Sequence, residues 1–594
     1  MKRLILVLSL ICLTATFVFA EGGAEGTAAA DKVLNRSRIT AKIQPFDPAD
    51  MTDLYTHLVY GDIAEALFAY EYLADTYKLR PQVAKAMPKV SSDGLVYTIE
   101  MHDDIYYYDP LMEVFPNGKG RTVTADDFVL SIKRLADPAT ESGGWWLYEG
   151  YIKGLDEWAA DGADYSKDVE GFKALDDYTI QLTLTKPYPQ ILYTMAMSFT
   201  YPVPQELIDY YGEEWKNYPI GTGAYYYDHA ESIPGTKHVL RANPEWKGMK
   251  FPAASSAGPM VTEKLGMDVL KKYEGKTLPF CNTVVWHVIE EDSVRWLKFM
   301  NGETDASAIP KDNFETAVVQ NELTPEMEEK GISLDINPTL DVTYDFFNME
   351  HPILGQNKKL RQAMALAKNH PKWLEIFYNG RGVTAQTLIP PGLGGYDPDY
   401  QNPYSVYDIE KAKQLLAEAG YPNGEGLPTF KYQMYSTSST THRQMVEFLI
   451  ENWSQIGIKV EAVAGDWPTF LERIDNKEVE IGGIAWGADY PDAQNFLQLN
   501  YGPNQAPGPN AANYDNPRFN ELYEKGAFMQ QSAERDALYA EAAQIAAEDV
   551  CWVMGVHRLS YALEQPWLIT RVFRDIGAGY SKYYDIDVEM RDAQ

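Results

Sequence analysis

The sequence predicts a large mixed α/β protein, and three observations carry that reading. At 594 residues, the chain holds several domains' worth of structure at roughly 100–200 residues each. It is 45% hydrophobic and 13% aromatic, with 13 Trp, 41 Tyr and 22 Phe, which excludes a disordered chain and calls for a sizeable core. Helical and strand-like patterns are interspersed along it without the regular alternation of a barrel.

Taken in chain order, residues 1–20 read as a secretory signal. Lys2 and Arg3 supply the charged start, Leu4 to Leu13 the apolar stretch and Val18-Phe19-Ala20 the small-residue cleavage site. Ser9, Thr14 and Thr16 interrupt the segment, which argues against a membrane anchor. The bulky Ile11 before Cys12 argues against a lipid anchor. Glu21 to Ala30, mostly Gly, Ala and Glu, predicts a flexible leader over 21–32. The whole chain carries a formal charge of −33, and cleavage leaves 50 basic against 85 acidic residues, or −35. A surface so negative repels phosphate backbones, so nucleic acid is excluded as a partner.

Val96 to Met101 reads as a strand. Thr124 then stands three residues before Asp127, and Phe128, Ile132 and Leu135 follow at helical spacing until Pro138, which predicts a capped amphipathic helix. Tyr178 to Leu184 is a second strand-like run. Met249 to Phe280, rich in small residues, Gly and Lys, reads as a surface insertion. A second helix has Asp408 as its cap, Ala412, Leu415, Leu416 and Ala419 on one face, and Gly420 and Pro422 as its stop. Lys459 to Ala464 is another strand.

Three cysteines exclude a disulfide scaffold, and the absence of a C-x-x-C pair excludes a zinc ribbon. Cys281 and Cys551 both sit in apolar strand-like runs. An oxidising compartment permits a bridge between them; two isolated buried thiols are the favoured reading. Catalytic signatures are missing: no G-x-S-x-G, H-E-x-x-H, P-loop or Gly-rich dinucleotide turn occurs. The nine histidines form no i,i+4 pair. Asp126-Asp127 and Glu290-Glu291-Asp292 read as solvated faces and loops in preference to a glycosidase carboxylate pair. No enzyme, metal or cofactor is expected.

Seven ordered segments resemble one family. They are Asp93 to Ile99, Thr124 to Pro138, Gly221-Thr222-Gly223-Ala224-Tyr225, Arg241 to Trp246, Leu360 to Ala367, Ala412 to Gly420, and Ala485-Trp486-Gly487-Ala488-Asp489-Tyr490. Over nearly the whole mature chain the sequence resembles the extracellular solute-binding proteins of family 5, the oligopeptide- and dipeptide-binding receptors of ABC importers. The resemblance implies a two-lobed periplasmic-binding-protein architecture, type II or Venus-flytrap, with an additional small α/β domain. Lobe I would take residues 33–70, 201–338 and 557–594, the small domain 71–200, and lobe III 339–556. It also implies a monomeric periplasmic or extracellular receptor that closes on an oligopeptide and delivers it to membrane permease subunits. An oligosaccharide or other small solute is the alternative ligand, and a secreted hydrolase the alternative of another class.

By the same resemblance, Asp489 would hold the ligand's ammonium group, since a charge sealed between lobes must meet a fixed opposite charge. The competing reading makes Asp489 the cap of a turn before Tyr490-Pro491. Trp486 would wall the same cleft and Tyr490 would bind ligand beside it, and Trp467 would line the cleft with a permissive aromatic plane; core packing is the competing reading for both tryptophans. His442 and Arg473 fall near positions that serve the ligand's carboxylate end, and ordinary surface exposure is the competing reading for both. Trp145 and Trp146 would face a stacked ligand, although Gly143-Gly144 beside them also fits a loop packed on the small domain. One departure stands out: where an arginine is expected shortly before Trp486, this chain has Ile481-Gly482-Gly483-Ile484.

Overall fold

Runs of β-branched and aromatic residues build three principal sheets in a computed structural model that describes residues 31–39, 43–51, 53–436 and 439–594. The signal segment 1–20, Cys12 and the leader up to residue 30 lie outside the described residues. Lys32, placed in the leader by the sequence, is part of the fold: its Nζ pairs with Asp585 Oδ1 at 2.5 Å, and the compact unit runs Lys32–Gln594.

The largest sheet orders its strands Tyr225–Tyr227, Lys237–Ala242, Thr283–Val288, Val33–Ile39, Ala306–Ala308, Val556–Glu564 and Ser333–Pro338, with Gly382–Thr384 also pairing with Val556–Glu564. Its strands thus come from three distant parts of the chain, plus one short strand from within 339–556. A second sheet runs Val460–Val463, Phe430–Gln433, Ile481–Gly487, Asp341–Phe347 and Trp552–Met554. Asp341–Phe347 is buried at every position, which fits an inner strand covered on both faces. The third sheet, Lys89–Val90, Val96–Glu100, Thr179–Thr183 and Phe172–Asp176, is antiparallel throughout.

Helix Ala125–Ala136 covers the third sheet with Phe128, Ile132 and Leu135. Its start is fixed by Asp127, whose Oδ2 accepts the Thr124 N–H at 2.8 Å while both carboxylate oxygens take the Arg121 fork. Helix Ile409–Glu418 begins where Asp408 accepts the Lys411 N–H at 2.9 Å and stops before Gly420, at φ 94°.

The segment Met249 to Phe280 is not a surface insertion. It folds as two short helices, Pro259–Leu265 and Met267–Tyr273, which press Val261, Leu270 and Tyr273 into the core of the largest sheet beside Phe251 of the preceding loop. Cys281 and Cys551 are both free and buried, in the cores of different sheets. No helix among the described residues is long and apolar enough to cross a membrane.

The chain passes between the first two sheets at two adjacent crossings, Pro338 to Asp341 and Met554 to Val556. Gly555 sits in the second. Its N–H donates to Thr343 O at 2.8 Å, and the next N–H, of Val556, donates to Thr343 Oγ1 at 2.8 Å. A Cβ on Gly555 would lie 2.3 Å from Thr343 Oγ1 and 2.5 Å from its carbonyl oxygen. Gly555→Ala is therefore expected to lower stability by about 1–3 kcal/mol through overpacking. An unchanged urea midpoint, followed by tryptophan fluorescence, would refute this reading of the crossing.

Candidate functional site

Strand Ile481–Gly487 changes character half-way along. Its first half is closely packed: a Cβ at Gly482 would lie 2.9 Å from the Phe346 ring, and one at Gly483 would lie 2.2 Å from the Tyr432 hydroxyl. No arginine side chain fits there. Pairing with Phe430–Gln433 ends at Gln433 opposite Gly482. Beyond that point Ala488 donates its N–H to Leu340 O at 2.8 Å. Because the backbone alternates along a strand, Ala485 and Gly487 turn their polar groups the other way, past the end of the neighbouring strand. Both residues are exposed, and a Cβ at Gly487 would meet open space. The second half is thus a short unpaired edge.

Asp489 stands at the end of that edge. Asn495 organises it: Asn495 Nδ2 donates to Asp489 Oδ2 at 2.9 Å, while its Oδ1 accepts the Asp489 N–H and the Trp486 Nε1–H, each at 3.0 Å. Burial pushes the Asp489 carboxyl up to about 6, with the Asn495 bond pulling the other way, and no cation of the described residues contributes. The turn that follows is fixed by Asp492, whose Oδ1 accepts the Gln494 N–H at 2.8 Å and pairs with Arg535 at 2.9 Å. The carboxylate of Asp489 is left without a capping task.

Tyr70, on strand Phe68–Tyr70, lies within electrostatic reach of Asp489. Its buried hydroxyl finds no partner among the described residues, and its ring stacks on Tyr193 with centroids 6.2 Å apart. The cavity behind Tyr70 measures about 20 Å³, room for one water.

Trp486 is half-buried beside Asp489, joined to it through Asn495. Trp467 opens helix Trp467–Asp475 and is 45% exposed, edge-on to Tyr435 at 5.9 Å. Tyr435 also lies on His442, with centroids 3.7 Å apart. His442 is not at the surface: it is 4% exposed, its Nε2 accepts the Tyr435 N–H at 3.4 Å, and burial pushes its pKa down to about 4. It is a neutral prop for Tyr435. Arg473 spends one amine on Gln433 Oε1. Tyr490 is fully buried in the core that packs on the third sheet, its hydroxyl donating to Gln494 Oε1, so it packs the junction between elements and does not line open space. Trp145 and Trp146 form a single 3-10 turn, half-buried on that same core, with the Gly144 backbone pressed against Phe199.

The structure therefore brings Asp489 and Trp486 together, and separately Trp467 and His442, while Tyr490, Trp145 and Trp146 belong to the packing of the third sheet's core. Sequence reasoning missed Asn495, Tyr70 and Tyr435. Asn495 carries no signal beyond a polar residue in a short helical turn, and the two tyrosines are ordinary members of an aromatic-rich chain.

Residues 78–508 match the model of the bacterial extracellular solute-binding proteins, family 5 Middle. The chain belongs to this family. Heme-binding protein A of Haemophilus influenzae is 26% identical to this family 5 protein over 528 residues, covering 87% of this chain and 86% of its own. The dipeptide-binding protein of Escherichia coli is 27% identical over 437 residues, covering 72% and 71%. Among solved structures, the periplasmic binding protein DppA from Helicobacter pylori in complex with peptide STSA matches with a TM-score of 0.72 at 24% identity, covering 94% of this chain and 98% of its own. OppA of Burkholderia pseudomallei matches with a TM-score of 0.74 at 20% identity, covering 94% and 100%. The family 5 fold is the two-lobed type II architecture.

Proposed function

We propose that this family 5 protein is the receptor of an ABC importer, that it captures a short peptide between its lobes, and that it hands the peptide to membrane permease subunits. The observation that carries this reading is Asp489: a carboxylate set beside an unpaired strand edge, with no cation of its own. A peptide's ammonium group supplies the missing charge, and its backbone supplies hydrogen bonds for Ala485 and Gly487. Strand addition of this kind reads the backbone and leaves side-chain identity open. Trp467 and Tyr435 give contact area without requiring a particular partner. Lobe closure is a population shift toward the state that the ligand binds better.

Several relatives bear names that specify peptides and one bears a name that specifies haem. The deciding experiment is calorimetry on protein unfolded and refolded to strip carried-over ligand, against di- to hexapeptides, haem and oligosaccharides. Binding of peptides with a free amino end is expected. Binding of haem or an oligosaccharide with none of any peptide would overturn the proposal.

A further inference from the structure

We infer that Arg558 is the group that holds the carboxylate end of the ligand, and that the ligand is a peptide of about three residues. This inference rests on the peptide reading above. Arg558 lies on strand Val556–Glu564, next to the crossing at Gly555. Asp341 clamps it from two sides: Asp341 Oδ1 accepts the Arg558 N–H at 3.1 Å, and Oδ2 accepts its Nε–H at 2.6 Å. That clamp uses the inner edge of the guanidinium and leaves the fork of terminal amines pointing away from Asp341. Of the Arg558 side chain 41% is solvent-accessible, against 7% for Asp341. A planar fork held by its inner edge suits bidentate capture of a carboxylate.

Position supports the same assignment. Tyr378 and Tyr435 lie within electrostatic reach of Arg558, and Tyr435 is the ring that meets Trp467. Ala488 donates to Leu340 O, and Thr339 donates through both N–H and Oγ1 to Arg558 O. The Ala488 and Arg558 backbones are therefore separated by at most two strand spacings, roughly 10 Å. An extended tripeptide separates its end charges by about that distance. The alternative position for a cation, before Trp486, is filled by Gly482 and Gly483, where no side chain fits. Arg473 and Arg381 are engaged by Gln433 Oε1 and by the Tyr378 and Ile309 carbonyls.

The test is calorimetry with trialanine and trialanine amide on the refolded wild type, Arg558→Gln, the double variant Arg558→Gln with Asp341→Asn, and Arg38→Gln as a control cation on strand Val33–Ile39. The double variant removes the stranded carboxylate if the single variant fails to fold. Wild type is expected to prefer the free acid by about tenfold or more. That preference should vanish in the Arg558 variants and survive in Arg38→Gln. Binding of both probes with the preference intact in a folded Arg558 variant overturns this inference alone, as does a preference lost only in Arg38→Gln or absent from wild type. Silence of wild type toward both probes overturns the peptide reading and this inference with it.

Discussion

Replacing Asp489 with alanine is expected to weaken binding of a peptide with a free amino end by about 2–5 kcal/mol, because it leaves the ligand's ammonium group desolvated and unpaired. An amino-terminally acetylated peptide provides the control. It has no charge for Asp489 to meet, so its affinity should be weak in wild type and change little on substitution. The pH dependence follows from the carboxyl held at about 6 by burial. Below that value the group is protonated and neutral, so peptide affinity should fall by up to about tenfold per pH unit, and it should level off above.

The unliganded protein should respond in the opposite direction. A folded-state value of about 6 lies above the 3.8 of a free carboxyl, so the folded state binds this proton more tightly than the unfolded chain. Its contribution to stability is present at low pH and lost as pH rises through that window. Asp489→Asn should accordingly raise the unliganded melting temperature at pH 8 while removing tight binding. A residue kept for function against stability behaves in this way. Unchanged peptide affinity in Asp489→Ala would remove the ammonium role.

The contrast between Asp489 and its surroundings shows what was legible in the sequence. The helices at Ala125–Ala136 and Ile409–Glu418 could be read because their caps, apolar faces and stops are all local. Met249 to Phe280 could not: Gly266 and Gly275 break the apolar period, so Val261, Leu270 and Tyr273 look isolated until a sheet built from distant strands gathers them. At the site, residue type was readable and burial was not. Tyr490 and Trp486 are four residues apart and both aromatic, yet one is sealed in the core of the third sheet and the other stands beside Asp489. What separates them is the placement of Tyr188 and Tyr523, from two other parts of the chain. The missing arginine before Trp486 was visible in the sequence, but its cause was not. Tyr432 and Phe346 occupy the volume that a side chain at Gly483 or Gly482 would need.

The same strand that carries Asp341 also carries the largest expected stability effect. Lys368, just past helix Lys358–Ala367, is fully buried. Its Nζ donates to Asp345 Oδ2 at 3.0 Å and to Met554 O at 3.2 Å and lies 4.3 Å from the Trp373 ring centroid, while the Tyr432 hydroxyl donates to Asp345 Oδ1 at 2.7 Å. Lys368→Met removes the only cation paired with Asp345 among the described residues and strands a carboxylate inside the sheet, an expected loss of about 3–5 kcal/mol. Adding Asp345→Asn removes the stranded charge and keeps an acceptor for Tyr432, so the double variant should recover much of that loss. A urea-unfolding cycle over both single variants and the double measures the coupling directly. A single-variant loss below about 1 kcal/mol would mean that the neighbourhood relaxes enough for water to reach Asp345, since surface pairs are worth no more than that. Because Asp345 and Asp341 share one strand, the binding readout separates two effects. Lys368→Met should lower the urea midpoint yet leave the preference for trialanine over its amide unchanged in the protein that remains folded, since Arg558 is clamped by Asp341 and not by Asp345.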